Sequence, residues 1–476
     1  MAADMAVDVK NYIARHAWIE GRWVQDVFLS VGPDGLWCRV EAHVPPESRQ
    51  AAIALSGPVI PGLVNAHSHA FQRAIVGLTE CRAMQGNAGV EDDFWRWRDR
   101  MYSAANRITP AQMQAIATQL YSEMLRGGYT HVCEFHYLHN GMGGVPYADP
   151  LEMSLALVRA ARTAGIGLTL LPTLYMRSGF GAAGLRDDQR RFASTPQSIM
   201  HIAEGVTRLA QAEGETLLIN AGVAIHSLRA ADAGPLNALA NAANAANAQS
   251  LPVHVHIAEQ TQEIADCISH TGQRPIEWLF NHANVNARWN LVHATHTTAN
   301  ELTMVKRSGA AIVICPSTEA NLGDGVFDFP GFSGLQGNWS IGSDSHVTRS
   351  WPEELRLLEY SQRLTLRKRN IAAQACGTAS SAAALFEAAL AGGRAATSQP
   401  LGGIAVGNRA DFLVLDAESS PLLGVPHPHL LDALVFSSPG ANFNAVFVAG
   451  QQVAHSTGGR SEVADNFRQV MHQLWA

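Results

Sequence analysis

The chain has 476 residues, 47% hydrophobic and 16% charged, which supports a large folded core and excludes long disorder. A net charge of -7 with no tract of like charge excludes the clustered basic surface that a nucleic-acid partner needs. No run of about 18 apolar residues occurs, and no basic start leads into an apolar core, so the expectation is a cytoplasmic protein with no membrane partner.

Short β-rich segments punctuated by Gly and Pro open the chain, and Arg22–Leu29, Leu36–Val44 and Ala52–Val59 read as strands of a small sheet. Apolar strand-like runs then recur with helical stretches between them, the pattern of parallel βα units. Eight are counted: Leu63–Ala66, Thr130–Phe135, Gly167–Pro172, Val223–Ser227, Val253–Ala258, Asn290–Ala294, Ala311–Cys315 and Ser340–Ser343. Amphipathic stretches at Pro110–Arg126, Leu151–Ala164, Pro196–Ala212 and Pro352–Arg367 are long enough to cover an outer face. The Ala- and Asn-rich Ala238–Asn247 reads as a solvent-facing helix. After Ala395 the helical pattern stops, and Ala410–Leu415 and Ala445–Val453 read as strands that join the N-terminal ones. The expected fold is α/β: a (β/α)8 TIM-like barrel over residues 59–395, inserted in a small β-sandwich domain built from residues 1–58 and 396–476. Cys38, Cys81, Cys133, Cys267, Cys315 and Cys376 lack C-x-x-C spacing and read as reduced thiols.

The chemistry begins at Asn65-Ala-His67-Ser-His69, directly after Val59-Ile-Pro-Gly-Leu-Val64. Alternate residues of a strand share a face, so His67 and His69 can aim at one point in a barrel mouth. Alone the pair is a weak signal, because two such histidines are more often ordinary surface or core residues. His256 ends the fifth run and Asp344 the eighth, where barrels place their catalytic groups. Three neutral imidazoles, one carboxylate and an open position suit one zinc ion per chain, while iron or manganese would accept the same donors. His254 lies on the same face of the fifth strand, and His256 is preferred as the residue nearer its end. His293, ending the sixth run, reads either as a core histidine or as a group that orients hydroxide. Glu259 reads either as an exposed loop residue or as a proton carrier in the same cavity.

The segments PGLVNAHSHAF, HIAE, LVHAT, GSDS and Gly402–Asp416 resemble, in order and spacing over about residues 20 to 455, the deaminases of the amidohydrolase superfamily. That resemblance implies a mononuclear metal site and a homodimer. The only lysines, Lys10, Lys306 and Lys368, lie away from the fourth run, where many binuclear relatives carry a carbamylated lysine. The segments His69–Gln72, Phe94–Arg98, Glu134–Tyr137 and Ala224–Arg229 are similar to those of superfamily members that act on a linear formimino dicarboxylate. This likeness implies that Gln72, Arg98, Tyr137, His226 and Arg229 bind the substrate, with Arg96 a competitor of Arg98. Arginine forks hold carboxylates bidentately, so a small-molecule dicarboxylate fits Arg98 and Arg229. The implied reaction is hydrolytic deimination of N-formimino-L-glutamate to N-formyl-L-glutamate and ammonia, a step of histidine degradation. Asp344 and His293 would help a zinc-bound hydroxide attack, and Glu259 would pass a proton to the leaving nitrogen. Two other readings stand beside it: a deaminase of a cyclic amidine such as a purine, pterin or triazine, and a noncatalytic binding barrel.

Overall fold

Nine short parallel strands make the larger sheet: eight in spatial order Leu63–Ser68, Tyr129–His136, Gly167–Leu174, Val223–Ser227, Val253–Ile257, Trp289–His293, Ala311–Ile314 and Asn338–Ile341, with Ile219–Ala221 beside Gly167–Leu174. They are buried on both faces, which is why they read as continuous apolar runs and not as alternating ones. The computed structural model describes residues 9–45, 50, 52–80, 94–246, 251–440, 443–455 and 461–475. The barrel closes where Ser68 bridges Asp344 in parallel. There Asp344 N donates to His67 O at 3.0 Å, and His69 N donates to Asp344 O at 3.3 Å.

Local sequence sets the outer helices. Pro110–Arg126 and Pro196–Ala212 begin where Thr109 and Thr195 cap the first turn and proline follows at its first position. Ala233–Ala245 buries Leu236, Leu239, Ala240 and Ala243, so the Ala- and Asn-rich segment is an amphipathic barrel helix, not a solvent-facing one. Its expected last residue, Asn247, lies outside the described residues. Among the described residues no helix is long and apolar enough to cross a membrane.

Both chain ends build the second sheet, whose spatial order is Gln451–His455, Phe443–Val448, Phe412–Leu415, Val59–Pro61, Lys10–Ile19, Arg22–Val31 and Trp37–Ala42, with Ile53–Ala54 beside Lys10–Ile19. Leu36 bridges Arg409, and Trp37 N donates to Asn408 O, so the sheet curls around a core that includes Tyr12, Leu29, Trp37, Phe412 and Phe447. Three expectations change. Lys10–Ile19 is an additional strand, Ala52–Val59 divides into two short ones, and helices continue beyond Ala395 to Thr397 and again at Leu430–Phe436 and Glu462–Trp475. The chain passes from sheet to barrel at Gly62, where any Cβ would overlap the Thr130 side chain.

The N-terminal end of the barrel is stoppered by the helix Ser381–Thr397. Gly392 and Gly393 let it come against the Trp339 carbonyl and Val64, and its last carbonyls, Ala396 and Thr397, accept His254 Nε2 at 3.0 Å and Asn220 Nδ2 at 2.8 Å. Arg409 is buried between sheet and barrel. Its guanidinium grips Asp411 at 2.9 and 2.6 Å and donates to the carbonyls of Leu217 and Thr130.

Candidate functional site

At the opposite end, four side chains converge where the strands finish. His67 and His69 leave the first strand, His256 the fifth, and Asp344 follows the eighth. Their ring Nε2 atoms and one carboxylate oxygen meet: Asp344 Oδ1 lies 3.4 Å from His67 Nε2 and 3.3 Å from His69 Nε2, and the Nε2 atoms of His67 and His256 are 3.0 Å apart. Gly342 makes this approach possible, since a Cβ there would sit 2.6 Å from the Cβ of His67.

Hydrogen bonds decide which nitrogen faces the centre. His69 Nδ1 donates to Phe135 O at 2.9 Å and His256 Nδ1 to His226 O at 2.8 Å, so each presents a bare Nε2 lone pair. Asn65 ties the first strand to the eighth by donating to Ser343 Oγ at 2.7 Å and accepting Ser343 N at 3.0 Å. Burial and neighbouring imidazoles hold His67 and His256 well below the usual histidine range, and burial lowers His69 as well. Neutral rings with aimed lone pairs beside a carboxylate are the donors a borderline divalent cation takes. His67, His69 and Asp344 are close enough to share one ion, as are His67, His256 and His293. His254, the other histidine of the fifth strand, faces the stoppered end.

His293 and Glu259 flank this cluster and are both buried. His293 Nδ1 is 3.3 Å from Glu319 Oε1, while its Nε2 is 3.6 Å from Asp344 Oδ2 and 3.7 Å from Glu259 Oε1. Burial disfavours its charged form, but the carboxylates of Glu259, Glu319 and Asp344 prevail and carry it up to about 10. Burial pushes the Glu259 carboxyl up to about 7 against the pull of His293 and Arg229. A carboxyl poised there can both give and take a proton near neutral pH. Glu263 holds its loop by accepting Ala258 N and Glu259 N at 3.2 and 3.1 Å. Ala258, His293, Ala294 and Asp344 all have positive φ, between 45° and 69°, so backbone strain gathers at the ends of these strands.

Gln72, Arg98, Tyr137, His226 and Arg229 all line one cavity with His69, His256, Glu259, His293 and Asp344. Gln72 Nε2 donates to Tyr137 OH at 3.3 Å. Arg229 is buried, with Nη2 3.9 Å from Glu259 Oε2. Arg98 lies 5.6 Å from the centre of the Tyr102 ring. The Arg96 side chain lies outside the described residues. Sequence reasoning missed Glu319, Tyr102 and Tyr175. Glu319 follows the seventh strand by five residues and Tyr175 immediately follows the third, so position at a strand end was the available signal for both.

The sequence profile of the amidohydrolase family matches residues 59–453. A formimidoylglutamate deiminase from Pseudomonas aeruginosa is 42% identical over 463 residues, covering 97% of this chain and 98% of the relative. A 5-methylthioadenosine/S-adenosylhomocysteine deaminase from Halobacterium salinarum is 25% identical, covering 83% and 80%. Among solved structures, an amidohydrolase from Brucella melitensis superposes with a TM-score of 0.88 at 39% identity, covering 98% of this chain and all of its own. An adenosine deaminase from Xanthomonas campestris with bound zinc reaches 0.76 at 20% identity over 98% of each chain, a likeness of fold.

Proposed function

The chain belongs to the amidohydrolase family, and from that premise we propose that it hydrolyses N-formimino-L-glutamate to N-formyl-L-glutamate and ammonia. One observation carries the reading: a cluster of neutral imidazoles with a carboxylate opens into the same cavity as two arginines, Arg98 and Arg229. The named activity of the Pseudomonas aeruginosa relative supports it.

His67, His69, His256 and Asp344 would hold one Zn2+, which when bound supplies Lewis acidity that lowers the pKa of water toward neutrality. The remaining work falls to side chains. Arg98 and Arg229 hold the two carboxylates and set the formimino carbon over the histidine cluster. Asp344 accepts a proton as the water oxygen bonds to that carbon. His293, steadied through Nδ1 by Glu319, faces the developing oxygen charge with Nε2. Glu259 relays protons to the imino nitrogen, one as the C–O bond forms and a second as the C–N bond breaks. Both protons come from the attacking water, so ammonia leaves and a formyl group remains.

The test is to load the protein with zinc, supply N-formimino-L-glutamate and follow ammonia release beside Arg229→Met. Wild type should release one ammonia per substrate, and the variant should lose about 10- to 100-fold in kcat/KM, the effect of one charged hydrogen bond. Absence of release with zinc bound overturns the assignment, and release unaffected by the variant overturns the role of Arg229.

A further inference from the structure

Tyr102, in the helix Phe94–Ala105, and Tyr175, just after the third barrel strand, face the cavity, while Gln189 lies behind them in the turn Asp187–Phe192. Their hydrogens can be counted. Gln189 Oε1 accepts Arg186 N at 3.1 Å, which turns the amide so that Nε2 faces the tyrosines. Nε2 donates to Tyr175 OH at 3.1 Å and to Tyr102 OH at 3.4 Å, and the two hydroxyls are 3.0 Å apart. The amide supplies two hydrogens and each phenol one. Both phenol oxygens therefore already accept, and only one of the two phenol hydrogens is used between them. The other is left over, and among the described residues neither hydroxyl has another acceptor.

The group is held firmly. Arg191 donates to the carbonyls of Asn140 and Ile108, each at 2.9 Å, and to that of Ala105, fastening the Gln189 turn to the helix of Tyr102. Tyr175 N donates to Ser194 Oγ at 2.8 Å, and its ring packs 4.3 Å from that of His226. Tyr175 has the shorter bond from Gln189; burial, together with Tyr102, keeps its hydroxyl protonated, pushing it well above the usual tyrosine range against the charges of Arg98 and Arg229. An oxygen that accepts twice makes a stronger donor of its own hydrogen.

We propose that Tyr175, its oxygen saturated by Gln189 and Tyr102, donates its remaining hydrogen to a carboxylate oxygen of the substrate, making it a third recognition element beside Arg98 and Arg229. This deepens the dicarboxylate reading and rests on it. The hydroxyl then selects an anionic acceptor, because a neutral carboxamide oxygen takes a weaker hydrogen bond.

The experiment compares wild type, Tyr175→Phe and Tyr102→Phe with N-formimino-L-glutamate and with its two monoamide analogues, after confirming equal metal content and unfolding midpoints. Tyr175→Phe should raise KM for the diacid about tenfold, the effect of one hydrogen bond to a charged group, with kcat within about threefold. Its preference for the diacid over one of the monoamides should fall by the same factor. Tyr102→Phe, which removes only the support, should show a smaller rise. An unchanged KM in Tyr175→Phe, or an equal rise for diacid and both monoamides, overturns the inference. The function itself fails in a different way, when wild type turns over none of the three compounds.

Discussion

Histidines line both ends of one barrel, and the two ends put them to different use. At the stoppered end His254 gives Nε2 to Ala396 O, while His131 sets Nε2 2.7 Å from Thr169 Oγ1 and Nδ1 3.2 Å from Arg409. At the mouth His69 and His256 commit Nδ1 to a carbonyl and leave Nε2 aimed at a shared point. Residue type does not make a ligand; the end of the barrel that the ring faces and the nitrogen left free there do, and His67 reaches the same point although its Nδ1 has no hydrogen-bond partner among the described residues. The backbones differ too. Both ends use glycines for close approach, Gly342 at the mouth and Gly392 and Gly393 at the stopper, but the mouth also holds strained non-glycine residues, whereas the stoppered end has a buried Arg409–Asp411 pair for cohesion.

That contrast predicts that changes at the mouth remove activity and changes at the other end remove stability. The largest effect is expected of Asp344→Asn, which should lower kcat by about 10³- to 10⁴-fold, toward the upper range for lost proton transfer, with little change in the urea midpoint of the metal-free protein. Arg409→Met should lower unfolding free energy by about 3–5 kcal/mol, because it leaves the Asp411 charge buried and unpaired, while kcat/KM of the folded fraction stays near wild type. Equal losses of activity and stability in either variant would break the distinction. Glu259→Gln should reduce kcat about 100-fold and leave metal content at one per chain. The sharpest comparison is within one strand. His254→Gln should keep its metal and lose about 1 kcal/mol of stability, whereas His256→Gln should lose metal on dialysis. Metal retention by both would mean that His256 is not a ligand.

Much of this was legible because barrels write their function at strand ends. The eight runs marked the eight strands, and the residues finishing the first, fifth, sixth and eighth meet at one cluster. Where local pattern carried no message, reading failed. The strand Lys10–Ile19 buries Tyr12, Ala14, His16, Ala17 and Trp18, and that mixture lacks the aliphatic alternation of a half-buried strand. The helix Glu462–Trp475 buries only Val470 and Leu474 among its described side chains, and is fixed from afar by Trp475 Nε1 donating to Ala74 O at 3.0 Å. Glu319, Tyr175 and Gln189 act through partners distant in sequence, which periodicity cannot reveal. The preference for His256 over His254 rested on nearness to the strand end; that His254 is committed to the Ala396 carbonyl could not be read from the sequence.

The bridge between Ser68 and Asp344 has a consequence for how the protein assembles. Residues from the first and last barrel strands must meet to complete the ring, and the same meeting brings Asp344 to His67 and His69. A growing chain that has made seven strands would own all three histidines and still lack the carboxylate that gathers them. Capture of a metal ion by the full set of residues would thus come late in folding, tied to a contact of long sequence separation that forms slowly. An ion held by these residues would tie the first strand to the residue that follows the eighth, so that its binding would add to the stability of the closed ring.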